Sequence, residues 1–131
     1  MTDVVRKDVM ARLGNGDYSC EKEFTLAMFS GKWKLVILCH LNEHHSYRFN
    51  GLRNLLPTIT HKVLTNQLRE LEADGLITRK VFEEKQLYVE YSITPLGRSL
   101  IPIVEAMGAW GRQRLAAMQL NPTFNVNEAE A

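Results

Sequence analysis

The sequence predicts a mainly α fold with one small β-hairpin, in a single domain within 131 residues. Three observations carry this. Apolar residues recur at three- and four-residue steps over most of the chain, the mark of helices with one buried face. Capping residues and glycine stops fall between those segments. After Gly75 the pattern changes to two β-prone runs separated by a polar connection. A chain of this length can bury a real core, and 45% hydrophobic with 24% charged residues is ordinary for a soluble protein. No apolar run approaches the roughly 20 residues that span a bilayer. The start, MTDVVRKDVMARLGNG, mixes acids with bases and does not read as a secretory signal. The expected compartment is the cytoplasm, with no membrane partner.

Thr2 and Asp3 offer N-caps to a first helix that carries Val5, Val9 and Leu13 on one side and ends at Gly14. Gly14-Asn15-Gly16-Asp17 is a hinge, so residues 1–19 read as an amphipathic arm and hinge. Glu21–Phe29 forms a second helix with Phe24, Ala27 and Met28 on one side, and Ser30-Gly31-Lys32 breaks it. The run WKLVILCHL over residues 33–41 is almost wholly apolar and reads as a buried helix. Ser46-Tyr47 makes a brief extended piece, and Phe49, Leu52, Leu55 and Leu56 mark a short helix stopped by Pro57. Thr60 caps the next helix, residues 60–73, in which Leu64, Leu68 and Leu71 face inward and Gly75 closes the end. Residues 76–82 and 88–93 are strands joined by the polar stretch 83–87. Thr94-Pro95 then opens a long helix toward Met118, with a cap followed by proline at the first helical position. Residues 20–118 thus form the main domain, and residues 119–131 read as a disordered tail.

Two helices joined by the short turn Pro57-Thr58-Ile59, the second polar on its outer face, make a helix-turn-helix pattern, and the hairpin adds a wing. The outward set on helix 60–73 is His61, Lys62, Thr65, Asn66 and Arg69. A helix fits the major groove of DNA, and amide and guanidinium groups pair with base edges, so these are the candidate base readers. Arg48, Arg53, Arg79, Lys80 and Lys85, together with Thr60 beyond its capping role, are candidate backbone contacts that fix register without reading sequence. Net charge is only +1, but residues 44–85 hold 7 Lys/Arg against 5 Asp/Glu, the one basic excess along the chain. The acids of helix 60–73, Glu70 and Glu72, and the nearby Asp74 lie toward its far end. An ordinary solvated surface is the competing account of all these charges.

Leu96, Leu100, Ile103, Val104, Met107 and Trp110 form an apolar stripe on the last helix, more than a peripheral helix of one small domain needs. Homodimerisation is the expected use, and Gly108 and Gly111 would allow close approach. A twofold dimer also suits half-sites recurring about one turn of DNA apart.

The order of elements, with Gly31-Lys32-Trp33-Lys34, RFNGLRNLLPTITHKVLTNQLRELEADGLITRKVF over residues 48–82, VEYSIT over 89–94 and Gly108-Ala109-Trp110-Gly111, resembles the HxlR-type regulators, bacterial relatives of the MarR-like winged helices. The resemblance covers roughly residues 20–115 and implies a winged helix-turn-helix with dimerisation helices at both ends. It implies a transcription regulator that binds a double-stranded DNA operator as a homodimer. The arm before Cys20 is longer than in many members, Thr58 stands where glycine is frequent, and Gln86-Leu87-Tyr88 replaces a frequent proline pair in the wing.

Cys20 precedes a helix, where positive partial charge and Lys22 favour thiolate while Glu21 and Glu23 oppose it. Some members of the family sense oxidants or electrophiles through a cysteine here, so the resemblance makes Cys20 a candidate redox sensor. An unreactive thiol is the alternative, and Cys39, inside the apolar helix, is expected in the core. His40, His44 and His45 superficially suggest a metal cluster, but no completing ligands accompany them; near a helix end they are expected in solvent, and no metal or cofactor is expected. No catalytic signature occurs, so the chain is not expected to be an enzyme. The rival reading is a winged-helix module that binds protein and never DNA.

Overall fold

The computed structural model describes residues 4–124. The proposed caps Thr2 and Asp3, and the tail from residue 125 onward, lie outside these residues. Six helices and three short strands follow in the order α1 (Lys7–Gly14), α2 (Glu21–Phe29), α3 (Lys34–Glu43), β1 (Tyr47–Arg48), α4 (Phe49–Asn54), α5 (His61–Ala73), β2 (Ile77–Glu83), β3 (Leu87–Ile93) and α6 (Pro95–Ala117). This is the winged helix-turn-helix that the sequence predicts. The brief extended piece is a true strand, since Tyr47 and Arg48 pair antiparallel with Tyr91 and Glu90. The sheet therefore has three strands in the order β1-β3-β2.

The core sits where α3, α5 and the base of the sheet meet. Ile37, Leu38 and Leu41 of α3 and Leu64, Leu68 and Leu71 of α5 are buried together with Leu52, Leu56, Leu76 and Ile77. Those in helices and strands are the apolar positions of their own period, and Leu56 and Leu76 are buried in the turns that follow α4 and α5. Thr60 caps α5 by accepting a hydrogen bond from the Val63 N–H at 3.1 Å. Gly75 at φ +74° ends the α5 turn in the left-handed region.

Thr94 locks the start of α6 to that same turn. Its hydroxyl donates to the Gly75 carbonyl at 2.7 Å and accepts from the Gly97 N–H at 3.0 Å. At Gly97 any Cβ would press into the Leu76 carbonyl oxygen and the Ile93 side chain. Only glycine lets the first turn of α6 lie this close to the backbone leaving α5.

The N-terminal arm begins its helix later than its pattern suggests, because Arg6 is extended and its backbone N–H is held by the Asp74 carboxylate at 2.8 Å. Val9 is buried against the core, while Leu13 is exposed. The arm is thus docked by Val9, by the half-buried Val5 and Tyr18, and by Arg6.

Candidate nucleic-acid interface

α5 presents the expected outer face. At about 100° of rotation per residue, His61, Lys62, Thr65, Asn66 and Arg69 fall on one side of the helix, and all are exposed except the half-buried Thr65. Their freedom differs. The Thr65 hydroxyl donates to the His61 carbonyl at 2.8 Å, so its one proton is spent on the backbone. The His61 ring lies 4.7 Å from that of Phe49, which seats the first residue of α5 beside the start of α4. Arg69 lines a groove between α5 and the sheet with Glu72, Arg79, Val89 and Tyr91. Among the described residues, the side chains of Lys62 and Asn66 make no hydrogen bond or ion pair.

Of the acids at the far end of α5, Glu72 stays exposed on that outer face beside Arg69, whereas Glu70 and Asp74 turn away from it. Asp74 is fully buried, with its Oδ2 2.9 Å from Arg6 Nε. Glu70 is bound by Arg6 at 3.2 Å and by the buried Lys34 at 2.6 Å. Arg6 also donates to the Ala27 carbonyl of α2 at 2.7 Å. Burial holds the Asp74 carboxyl above its ordinary range, against the opposing pull of Arg6 and Lys34. This network joins the arm, α2, α3 and α5; it buries Asp74 and ties Glu70, which stays 42% exposed, to two cations. No feature of the sequence near Arg6 signals it. Lys34, one cation inside an apolar run, is the only hint.

The candidate backbone contacts divide between two faces of the sheet. Strand residues alternate in direction, and the register aligns Arg48, Glu90 and Lys80 across the three strands. Arg79 is in register with the buried Tyr91 on the opposite face, toward α5. Arg53 is exposed on α4, and Lys85 is exposed at the wing tip, residues 84–86. Thr60 is exposed and engaged in its cap.

Cys20 is exposed and occupies the N-cap position of α2. Its flanking acid Glu23 accepts hydrogen bonds from the hydroxyl and the backbone N–H of Ser19, which hold that carboxyl below its usual range. Cys39 is half-buried rather than deep in the core. His40, expected in solvent near its helix end, is buried, whereas His44 and His45 are exposed.

The apolar stripe on α6 also divides. Leu100 and Val104 are buried within the protomer, and Leu96 is half-buried against its core. Ile103, Met107 and Trp110 remain exposed, Trp110 at 69%. Among the described residues no single helix is long and apolar enough to cross a membrane.

The model of the HxlR-like helix-turn-helix family matches residues 28–119. The chain belongs to the HxlR family. This HxlR-like transcriptional regulator is 46% identical over 111 residues to the HTH-type transcriptional regulator YtcD of Bacillus subtilis, covering 85% of this chain and 86% of that relative. Among solved structures it resembles the redox regulator HypR in its reduced form, with a TM-score of 0.71 and 43% identity over 76% of this chain and 98% of HypR. It also resembles diamide-treated YodB from B. subtilis, with a TM-score of 0.63 and 28% identity over 79% of this chain and 97% of YodB. Relatives and neighbours are regulators, not enzymes, and the HxlR-like chain is a regulator of transcription. Its arm and most of α2, with Arg6 and Cys20, precede the residues that the family model matches.

Proposed function

We propose that this regulator is cytoplasmic and binds a double-stranded DNA operator as a homodimer, with α5 in the major groove. One observation carries the reading: α5 keeps Lys62, Asn66 and Arg69 exposed while Glu70 and Asp74 turn inward to Arg6 and Lys34. The result is a helix of groove-fitting width whose outer face carries Lys62 and Arg69 against Glu72 at its far end. Lys62, Asn66 and Arg69 read base edges, and His61 and Thr65 add contacts through the ring and the methyl group. Arg48, Arg53, Thr60, Arg79, Lys80 and Lys85 contact phosphates. Ile103, Met107 and Trp110, with Leu96 at their edge, meet the second subunit, while Leu100 and Val104 support that face from within.

The test is binding of the purified protein to DNA upstream of its own gene, as a function of salt. Affinity should fall steeply as salt rises, because phosphate contacts release counterions. An affinity indifferent to salt would instead favour a protein-binding module. Asn66→Ala should remove about 1–3 kcal/mol at one operator position and erode the preference over random DNA. Lys85→Ala should weaken both DNAs alike and flatten the salt slope by about one. Equal losses on operator and random DNA for Asn66→Ala would remove it from the base-reading set.

Cys20 is the proposed redox sensor, supported by its exposure at the α2 N-cap and by the resemblance to HypR and YodB, the first a redox regulator by name. Diamide should change operator affinity in wild type and in Cys39→Ser but leave Cys20→Ser unaffected. Full affinity retained with Cys20 demonstrably modified would end the sensor assignment.

A further inference from the structure

The wing carries a stack that the DNA-binding reading does not use. On the sheet face turned away from α5, the rings of Phe82 and Tyr88 lie parallel, with centroids 5.1 Å apart and 12° between planes. They are directly opposite each other across β2 and β3. The Arg48 guanidinium covers the Tyr88 ring at 3.7 Å, and Lys80 Nζ lies 5.1 Å from the Phe82 centroid. Two aromatic rings are thus flanked by two cations drawn from β1 and β2.

Arg48 has another partner within its own register. Glu90 stands directly across from it, yet Arg48 makes no ion pair with Glu90, which instead accepts a hydrogen bond from Ser46 at 3.2 Å. The guanidinium has taken the ring face. Stacking occupies the flat of the guanidinium and leaves its N–H edge for an anion, a division of labour that an ammonium cannot reproduce. Among the described residues the Arg48 side chain makes no hydrogen bond or ion pair, so that edge is unspent. The wing that carries this edge flanks the reading helix: Arg48 immediately precedes Phe49, whose ring touches His61 at the first residue of α5, while the guanidinium itself lies on the sheet face turned away from α5.

We infer that Tyr88, braced by Phe82, is a positioning residue that fixes Arg48 as a preformed contact from the wing to the phosphate backbone flanking the groove that α5 enters. Without the ring, Arg48 is a flexible exposed side chain that must be ordered on binding. With it, most of that ordering is done in the free protein. The inference rests on the DNA-binding reading and adds residues that the reading lacks.

The experiment measures the salt dependence of operator binding for wild type, Arg48→Ala, Tyr88→Leu, Tyr88→Phe, the double variant Arg48→Ala/Tyr88→Leu, and Asn66→Ala. Arg48→Ala should lower affinity roughly three- to tenfold and reduce the salt slope by about one. Tyr88→Leu should reproduce much of that loss, Tyr88→Phe should restore binding because it keeps the ring, and the double variant should be no worse than Arg48→Ala alone. Thermal unfolding of Tyr88→Leu and Tyr88→Phe separates a loosened wing from a damaged fold. An unchanged slope for Arg48→Ala, or additive losses in the double variant, would overturn the inference. If Asn66→Ala still loses operator preference in that event, DNA binding through α5 stands without the stack. A wild-type protein that binds no DNA would overturn both.

Discussion

Arg6→Met should cost this fold about 3–5 kcal/mol, the price of leaving a buried charge without its partner. The size of the effect follows from where the remaining groups sit. The Asp74 side chain is fully buried, and Arg6, itself only 14% exposed, is its direct ion-pair partner. Glu70 is less affected, because Lys34 still binds it and it is 42% exposed. For a domain whose whole stability is on the order of 5–15 kcal/mol, the unfolding midpoint should fall by roughly 10–20 °C.

The deficit should depend on pH in a definite direction. Burial already raises the folded pKa of Asp74 above the ordinary 3.8, and losing Arg6 raises it further. A carboxyl whose folded pKa is raised stabilises the fold below its unfolded pKa, and that contribution is lost as pH rises through the folded value. The variant should therefore lie nearest to wild type in acid, and the gap should open as pH rises through the wild-type folded pKa, which lies above 3.8, and widen until the variant's still higher pKa is passed. Adding Asp74→Asn removes the stranded charge while keeping an acceptor for the Arg6 position's backbone N–H, so the double variant should recover most of the loss. Urea denaturation of the three proteins at several pH values decides it. A change below about 1 kcal/mol for Arg6→Met, the scale of an exposed pair, would mean that solvent screens the network.

What was legible in the sequence is what repeats locally. α5 and its polar outer face follow from Leu64, Leu68 and Leu71 at three- and four-residue steps, with Thr60 and Gly75 as boundaries. The hairpin follows from β-prone runs around a polar tip, with ends that shift by only a residue. What was not legible depends on distance. Arg6 and Asp74 are 68 positions apart, and no periodicity links them. Glu70 and Asp74 therefore read as surface acids until the arm is in place. The division of the α6 stripe is hidden for a related reason: spacing marks Leu100, Ile103, Val104 and Met107 as one apolar band, and only the packing of α3 against α6 decides which of them the protomer consumes. The Arg48–Tyr88 stack is a diagonal contact, since Arg48 is registered against Glu90, and pairing rules alone would choose the acid.

That division decides how the proposed dimer should be tested. Leu100→Glu would place a carboxylate in the protomer's own core, so any loss of assembly could be unfolding. Met107→Glu and Trp110→Glu change side chains that are 46% and 69% exposed in the protomer, and both should fold with near-native stability as monomers. In the dimer each would bury an uncompensated carboxylate twice, once from each subunit, because a twofold interface uses the same patch on both sides. The dimer should weaken at least roughly a hundredfold, at about 1.4 kcal/mol per decade. Operator affinity should fall with it, since two linked half-site contacts exceed one by roughly 100-fold or more through effective concentration alone. Binding to a single half-site should be nearly unchanged, because α5 and the wing are not touched. Sedimentation of both variants at micromolar concentration, alongside unfolding curves and binding to full and half operators, separates these effects. Intact dimers for both variants would place the subunit contact elsewhere, and the exposed Met10, Leu13 and Leu26 of α1 and α2 would be the next face to alter.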